Sequence, residues 1–377
     1  MNVNILHITY GVDCGGVEAA IYNYYSKLDR TSFHFDVLSQ MDKGQNVSND
    51  LFAKKFRDLG SEVYYVPSKS WNLKACIRQS FKIFKRKKYD IVHIHMGHGS
   101  LAYVLIAKLC GIKRVIVHSH IAFDTTGWAV KKTTRVMAVL LKFFKTYKAA
   151  CSREAAMQAW PGEEAYVMNN AIDVQAYIPN KKTRGIVRDE LNLGDSTAIC
   201  AVSRFVESKQ HSFLIDIFSA YLALDEKAKL VLIGNGELEE TIKNKVKRMN
   251  FQDKVLFLGS RPDVPQLLQG MDAFVLPSRF EGFGMVYVEA QLAGLPTFAI
   301  EGAVPQSVKL TDCFFTIDKE SGSEVWANTI SRNIAKKPDT EKLIVNAEKN
   351  GLDIGMEAKR LEKYYSDIMQ ERSWKKI

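Results

Sequence analysis

The strongest constraint on this chain is a rhythm that runs along nearly its whole length. Short apolar runs alternate with longer amphipathic stretches. In the first half VNILHITY, FHFDVLSQ, SEVYYVP, DIVHIH and RVIVHSH read as strands. GVEAAIYNYYSKL, NDLFAKKFRDLG, LKACIRQSFKIFKRK and LAYVLIAKLCG read as helices between them. In LKACIRQSFKIFKRK the helical period puts Leu73, Ile77, Phe81 and Phe84 on one expected apolar face. The second half repeats the pattern, with STAICAVS, AKLVLIG, DKVLFLG, DAFVLP and PTFAI as strands. Strands that alternate one by one with helices are joined by crossovers, which gives α/β domains with parallel sheets covered on both faces. A chain of 377 residues holds two of them. The expected division is 1–170 and 171–352, joined near NNAIDVQAYIPNKK, where Asn, Asp and Pro favour a linker. Residues 353–377 are expected to form a helix that packs back on the first domain.

The opening MNVNILHITYG is broken by Asn2, Asn4 and His7 and reads as a first buried strand, not a leader. No stretch is long and apolar enough for a spanning helix. The six cysteines are scattered without a CxxC pair, which fits reduced thiols in the cytosol. The net charge of +10 is unevenly spread. No acid lies between Glu62 and Asp90, nor between Asp124 and Glu154, while lysines and arginines recur in both. VMAVLLKFFKTYK adds an apolar face to Lys142, Lys145 and Lys148, as a helix lying on an anionic membrane would. A solvated helix face is the alternative. Nucleic acid is not indicated, since no nucleic-acid motif accompanies the charge.

The segment RFEGFGMVYVEAQLAGLP carries the chemistry. It follows a strand and enters a helix, with seven residues between Glu281 and Glu289. Gly282 and Gly284 allow close backbone approach. The amides of Phe283, Gly284 and Met285 would then meet a diphosphate at a helix N-terminus. Glu281 is expected just before the helix and Glu289 two turns inside it, both suited to accept hydrogen bonds from hydroxyls. Upstream, Arg204 and Lys209 follow a strand and supply cations for phosphate. No Asp-x-Asp occurs, so no metal-held nucleotide and no metal cofactor are expected. His93, His95, His98, His118 and His120 end two neighbouring strands, and each H-x-H pair shares a strand face. Packed structural histidines, with His120 facing ligand, are preferred to a metal site because no carboxylate or cysteine has a fitting spacing.

The E-x7-E spacing with its Gly-aromatic-Gly entry resembles the retaining glycosyltransferases of family 4, of the fold called GT-B. The resemblance covers most of the chain. VSRFVESKQHSFLIDIF is similar to that family's donor-diphosphate segment, with Arg204 and Lys209 on its basic positions. LIGNGELEE resembles the next loop, with Asn235 and Gly236. VLFLGSRPDV, with Gly259, resembles the base-binding region. Gly15 and Gly16 match the glycine pair after the first strand, although a tight turn alone would also use them. VPQSVKLTDCFFTI resembles the exopolysaccharide and capsule branch.

The resemblance implies two Rossmann-like doubly wound domains facing a central cleft, acceptor in the first and nucleotide-sugar in the second. It implies transfer of a hexose-type sugar, from a UDP- rather than a GDP-sugar, to a lipid-linked glycan, with retention. Glu281 would hold sugar hydroxyls, Glu289 the ribose, and His120 the donor sugar. A cytoplasmic protein, peripheral at the inner membrane face, is implied. A nucleotide-sugar epimerase of the same architecture, or a silent glycan-binding partner subunit, is the alternative.

Overall fold

The computed structural model describes residues 2–12, 16–42, 51–120, 139–281 and 283–371. It divides into two compact units: Met1–Ile172 with Gly351–Ile377, and Asp173–Asn350.

The first unit is built on a parallel sheet of seven strands. These are β1 (Val3–Thr9), β2 (Phe33–Met41), β3 (Val63–Pro67), β4 (Ile91–Ile94), β5 (Arg114–Ser119), β6 (Tyr147–Ala150) and β7 (Tyr166–Val167), in the order β3-β2-β1-β4-β5-β6-β7. Because side chains alternate across a strand, one face carries Val3, Ile5, Ile91 and Ile116, and the other Leu6, Ile8, Val92, Ile94, Val115 and Val117. The first face is covered by the helices Gly16–Lys27 and Ile354–Met369, the latter contributing Ala358, Leu361, Tyr364, Tyr365 and Ile368. His7, His93, His95, His118 and His120 follow the same parity as Ile5, Ile91 and Ile116, so all five fall on that face. Register aligns His7 directly with His93.

The helix Lys69–Arg86 departs from its expected packing. Its inward line is Cys76, Ser80 and Phe84, while Leu73 and Ile77 are exposed. A non-helical Asn72 near its start accompanies this shift in the inward line. The expected basic helix is also revised. Helical backbone is described only up to Lys142, and Lys148 lies inside β6. Lys148 is buried, its ammonium 5.1 Å from the centre of the Trp160 ring.

Asp36 in β2 is fully buried. It accepts hydrogen bonds from His34 (2.9 Å), the Lys87 ammonium (2.8 Å), the Tyr89 hydroxyl (2.9 Å) and the Glu62 amide (2.9 Å). Burial alone would raise its pKa, but these bonds to the charged form outweigh it and hold the carboxyl well below its ordinary value. A depressed folded pKa gives stability that is complete above the unfolded value of about 3.9 and is lost as pH falls through the folded one. Asp36→Ala is expected to cost about 3–5 kcal/mol, because it strands buried partners of a charge. In denaturant titrations the wild type should lose stability below about pH 4 more steeply than Asp36→Ala. Parallel acid profiles would contradict this assignment.

The second unit has a parallel six-stranded sheet in the order β10-β9-β8-β11-β12-β13. The strands are β8 (Ala198–Val202), β9 (Lys229–Ile233), β10 (Val255–Phe257), β11 (Ala273–Leu276), β12 (Thr297–Ile300) and β13 (Phe314–Ile317). In both sheets the strand order reverses once, between β1 and β4 and between β8 and β11. Doubly wound sheets bind ligands at the carboxyl ends of such strands, at the point of reversal.

Candidate functional site

In the second unit the loops after β8 and β11 meet at that reversal. The Arg279 amide donates to the Ser208 carbonyl (2.9 Å) and ties one loop to the other. After β8 the chain makes a single 3-10 turn, Glu207–Lys209, and Gln210 takes a left-handed conformation with φ 52° before the helix His211–Leu222. This turn presents Lys209, whose ammonium donates to Glu281 Oε2 at 2.5 Å. Glu281 is buried, and its second oxygen, Oε1, has no hydrogen-bond partner among the described residues. The pair therefore leaves a buried acceptor open for a ligand hydroxyl. Arg204 is exposed and free of ion pairs among the described residues.

Behind Glu281, Gly284 has φ 82° and caps the helix Met285–Leu292; Gly282 lies outside the described residues. Phe283 is buried and Met285 partly exposed at the first helical position. The helix starts later than expected, so Glu289 stands just over one turn inside it instead of two. Glu289 lies against the buried Tyr177, and burial pushes its carboxyl up to about 7 despite a hydrogen bond from that phenol, which lowers it. Tyr177 sits in the joining segment and had no sequence signal.

The loop after β9 is pressed onto the loop after β8. Phe205 donates to the Asn235 carbonyl (2.9 Å) and Gly234 to the Gly259 carbonyl (2.8 Å). Gly234 has φ 130°, and a Cβ there would lie 2.1 Å from the Ser203 carbonyl oxygen. At Gly236 a Cβ would come within 2.6 Å of the Phe205 backbone. Asn235 and Gly236 are exposed at the loop surface. Thus Arg204, Lys209, Asn235, Gly236, Gly259, Glu281, Phe283, Gly284, Met285 and Glu289 all belong to one end of one sheet.

In the first unit Gly15 lies outside the described residues, and Gly16 opens the helix Gly16–Lys27. The histidines form an array that includes His7, whose place was not anticipated; the side chain of His98 is outside the described set. His95 bonds His7 at 2.9 Å and His120 at 2.8 Å, and His93 bonds His118 at 3.1 Å. Burial lowers the pKa of all five, His7 to about 3 and His120 to about 4, so the rings are neutral at pH 7. Two triads, His7–His93–His95 and His95–His118–His120, each bring one ring nitrogen per residue within 4.8 Å. However, His93 on His95 and His118 on His120 stack at 4.3 and 4.1 Å, inclined by only 20° and 19°. In-plane lone pairs of stacked rings run side by side, whereas a tetrahedral ion needs them to converge. The arrangement is that of a hydrogen-bonded array.

Comparisons with known proteins bear on the family and the fold. The family model for glycosyl transferases group 1 matches residues 184–350, and that for glycosyltransferase family 4 matches residues 14–174. EpsF of Bacillus subtilis, named as a glycosyltransferase, is 29% identical over 350 residues, 88% of each chain. An Escherichia coli UDP-Gal:alpha-D-GlcNAc-diphosphoundecaprenol alpha-1,3-galactosyltransferase is 28% identical over 234 residues, 57% of this chain and 59% of that enzyme. The crystal structure of Anabaena HepE in complex with UDP and glucose superposes with a TM-score of 0.74 at 20% identity, covering 97% of this chain and all of that one. Together the two family models span both units, and the chain belongs to the family-4-like glycosyltransferases of the GT-B fold.

Proposed function

We propose that the chain moves a hexose-type sugar from a UDP-sugar to a lipid-linked glycan, with retention, in the synthesis of a bacterial exopolysaccharide, capsule or O-antigen. One observation carries the reading: the Lys209–Glu281 pair, with an open carboxylate oxygen, beside a helix N-terminus at the reversal of the second sheet. The donor named for the Escherichia coli relative, and the UDP held by HepE, support a uridine nucleotide. The diphosphoundecaprenol in that relative's name supports a lipid-linked acceptor.

In this mechanism the bond from the anomeric carbon to the diphosphate oxygen breaks. Negative charge grows on the leaving diphosphate and is met by Arg204, Lys209 and the amides of Phe283 to Met285. The acceptor hydroxyl attacks, and its proton passes to the departing phosphate. Glu281 holds sugar hydroxyls, Glu289 the ribose, Gly259 lies beside the base, and His120 contacts the transferred sugar. The cations serve where a metal would otherwise stand, so turnover needs no divalent ion. A panel of nucleotide sugars, with and without acceptor and in excess chelator, tests this by nucleoside diphosphate release. Release that depends on acceptor is expected. An isomerised sugar without acceptor, or activity that vanishes in chelator and returns with magnesium, would contradict it.

Ribose hydroxyls donate best to an ionised Glu289, whose folded pKa is raised to about 7. Binding must therefore pull off a proton in acid. Affinity for a UDP-sugar is expected to be roughly tenfold lower at pH 6 than at pH 8. Glu289→Gln should bind more weakly at pH 8 with a flat profile. An unchanged slope in that variant would remove Glu289 from the site.

For the acceptor end, exposed Val139, Leu140 and Phe143 lie with exposed Lys142 and Lys145 in the first unit. Lys108, close to the exposed Leu109, donates to the Lys145 carbonyl at 3.0 Å, which joins a second apolar edge to this patch. Such a surface suits peripheral binding to an anionic leaflet. Lys142→Glu with Lys145→Glu should abolish low-salt co-sedimentation with anionic vesicles. Sedimentation equal to wild type would exclude the patch.

A further inference from the structure

In the first unit the chain leading into β6 lines a cavity of about 560 Å³. Three cationic side chains, Lys142, Lys145 and Lys148, share the lining with Phe144, Thr146, Glu163 and the exposed Glu164. The residues before β6 and those before β7 meet here, and the two strands are parallel. The cavity therefore opens at the amino ends of the strands. Doubly wound sheets take their substrates at the opposite, carboxyl ends.

The cations of this cavity are poorly compensated. Lys148 is only 7% exposed, and its ammonium donates to Thr146 Oγ1 at 2.7 Å. Among the described residues the only carboxylate within 4.0 Å of it is that of Glu163, at 4.0 Å. Lys142 lies 3.7 Å from the same carboxylate. Both distances are beyond hydrogen-bonding range. Lys145 has no ion-pair partner among the described residues, and its carbonyl accepts from Lys108. Burial lowers the pKa of Lys148, and Glu163 offsets this only in part. A buried charge is costly unless an opposite charge is bonded to it. A phosphate, with several charged acceptor oxygens, can meet more than one ammonium at once. Beside the cavity, Val139, Leu140 and Phe143 are exposed on the same stretch of chain. A phosphate that carries apolar chains matches both features, whereas a nucleotide or a free phosphate would leave the apolar side chains bare.

We propose that this cavity is a headgroup site for an anionic phospholipid, with the phosphate held by Lys142, Lys145 and Lys148 and the acyl chains lying along Leu140 and Phe143. The inference deepens the membrane reading of the same patch and rests on it. The lipid is an anchor and not a substrate, because the cavity stands at the end of the sheet away from the strand ends that take substrates. Glu163 competes with the phosphate for two of the ammonium groups.

Calorimetric titration of the full chain with dihexanoyl phosphatidylglycerol, kept below its micelle concentration, tests the site without a membrane. Saturable binding at one site is expected, with inorganic phosphate as a weaker competitor. Lys148→Met keeps a side chain over Trp160 but removes the charge, and should weaken binding about tenfold or more. Lys145→Gln changes an exposed side chain, so folding is not at stake, and should weaken it about two- to fivefold. Glu163→Gln removes the competing carboxylate and should tighten binding by about the same factor. No saturable binding, unchanged affinity in both lysine variants, or weaker binding in Glu163→Gln overturns the site. Inorganic phosphate bound as tightly as the short-chain lipid overturns the lipid as its occupant. Co-sedimentation with phosphatidylglycerol vesicles separates this inference from the reading beneath it. A protein that sediments with vesicles but binds no short-chain lipid refutes the headgroup site and leaves the membrane reading standing. A protein that binds the short-chain lipid but sediments with no vesicle refutes the membrane reading, and the anchor with it.

Discussion

Replacing Lys209 by alanine is expected to lower kcat/KM by one to two orders of magnitude. Two effects act in the same direction. The ammonium that would meet the leaving diphosphate is gone, and charge-assisted contacts contribute about 1.5–3 kcal/mol, or roughly 10- to 150-fold. In addition, Glu281 loses the partner that holds Oε2 at 2.5 Å, and its buried carboxylate is left uncompensated. Lys209→Arg should recover part of the loss, since it restores charge but not the short single contact. Steady-state kinetics with a UDP-sugar measure both variants. Wild-type turnover and donor affinity in Lys209→Ala would remove this residue from the site.

The second large effect belongs to Gly234. Its φ of 130° disfavours any side chain, and a Cβ would stand 2.1 Å from the Ser203 carbonyl oxygen, a backbone atom that cannot rotate away. Gly234→Ala must push apart the loops after β8 and β9, at a cost of about 2–5 kcal/mol from backbone strain and overpacking together. Because the first of those loops carries Arg204 and Lys209, UDP affinity should fall with stability. Gly259→Ala is the matched control. Its φ is 64°, but no atom lies within 4 Å of the added carbon, so a cost of only about 1–2 kcal/mol is expected. Denaturant midpoints of the two variants give the comparison. Equal midpoints would mean that the loop contact at Ser203 yields freely.

Much of this architecture was legible in the sequence because a parallel sheet needs buried, near-continuous apolar strands spaced by helices. The strand segments quoted from the sequence appear as β1 to β5 and β8 to β12, whereas β6, β7 and β13 were not among them. The Glu281–Glu289 segment was legible too, since glycines at a strand-to-helix turn leave a local mark. What was not legible depended on contacts distant in sequence. Lys148 looked like one more cation in a basic run, yet it lies in β6 over Trp160. Leu73 and Ile77 had helical spacing, yet Cys76, Ser80 and Phe84 face inward, because period alone does not say which stripe a sheet will cover. His7 joined the array because parallel register set it opposite His93, and Tyr365 because the last helix crosses that same face. Tyr177 reaches Glu289 from a segment that reads only as a linker. Parity along β1, β4 and β5 was the one signal that could have joined His7 to the others in advance.

The most direct test of the central claim is analysis of the product made from an α-configured UDP-sugar and an isoprenoid-diphosphate-linked glycan, without added metal. Mass spectrometry should find the acceptor heavier by one sugar residue, with one UDP formed for each residue added. NMR of the isolated glycan should show the new linkage in the α configuration. A β linkage would contradict retention, and UDP formed with no sugar gained by the acceptor would contradict transfer itself.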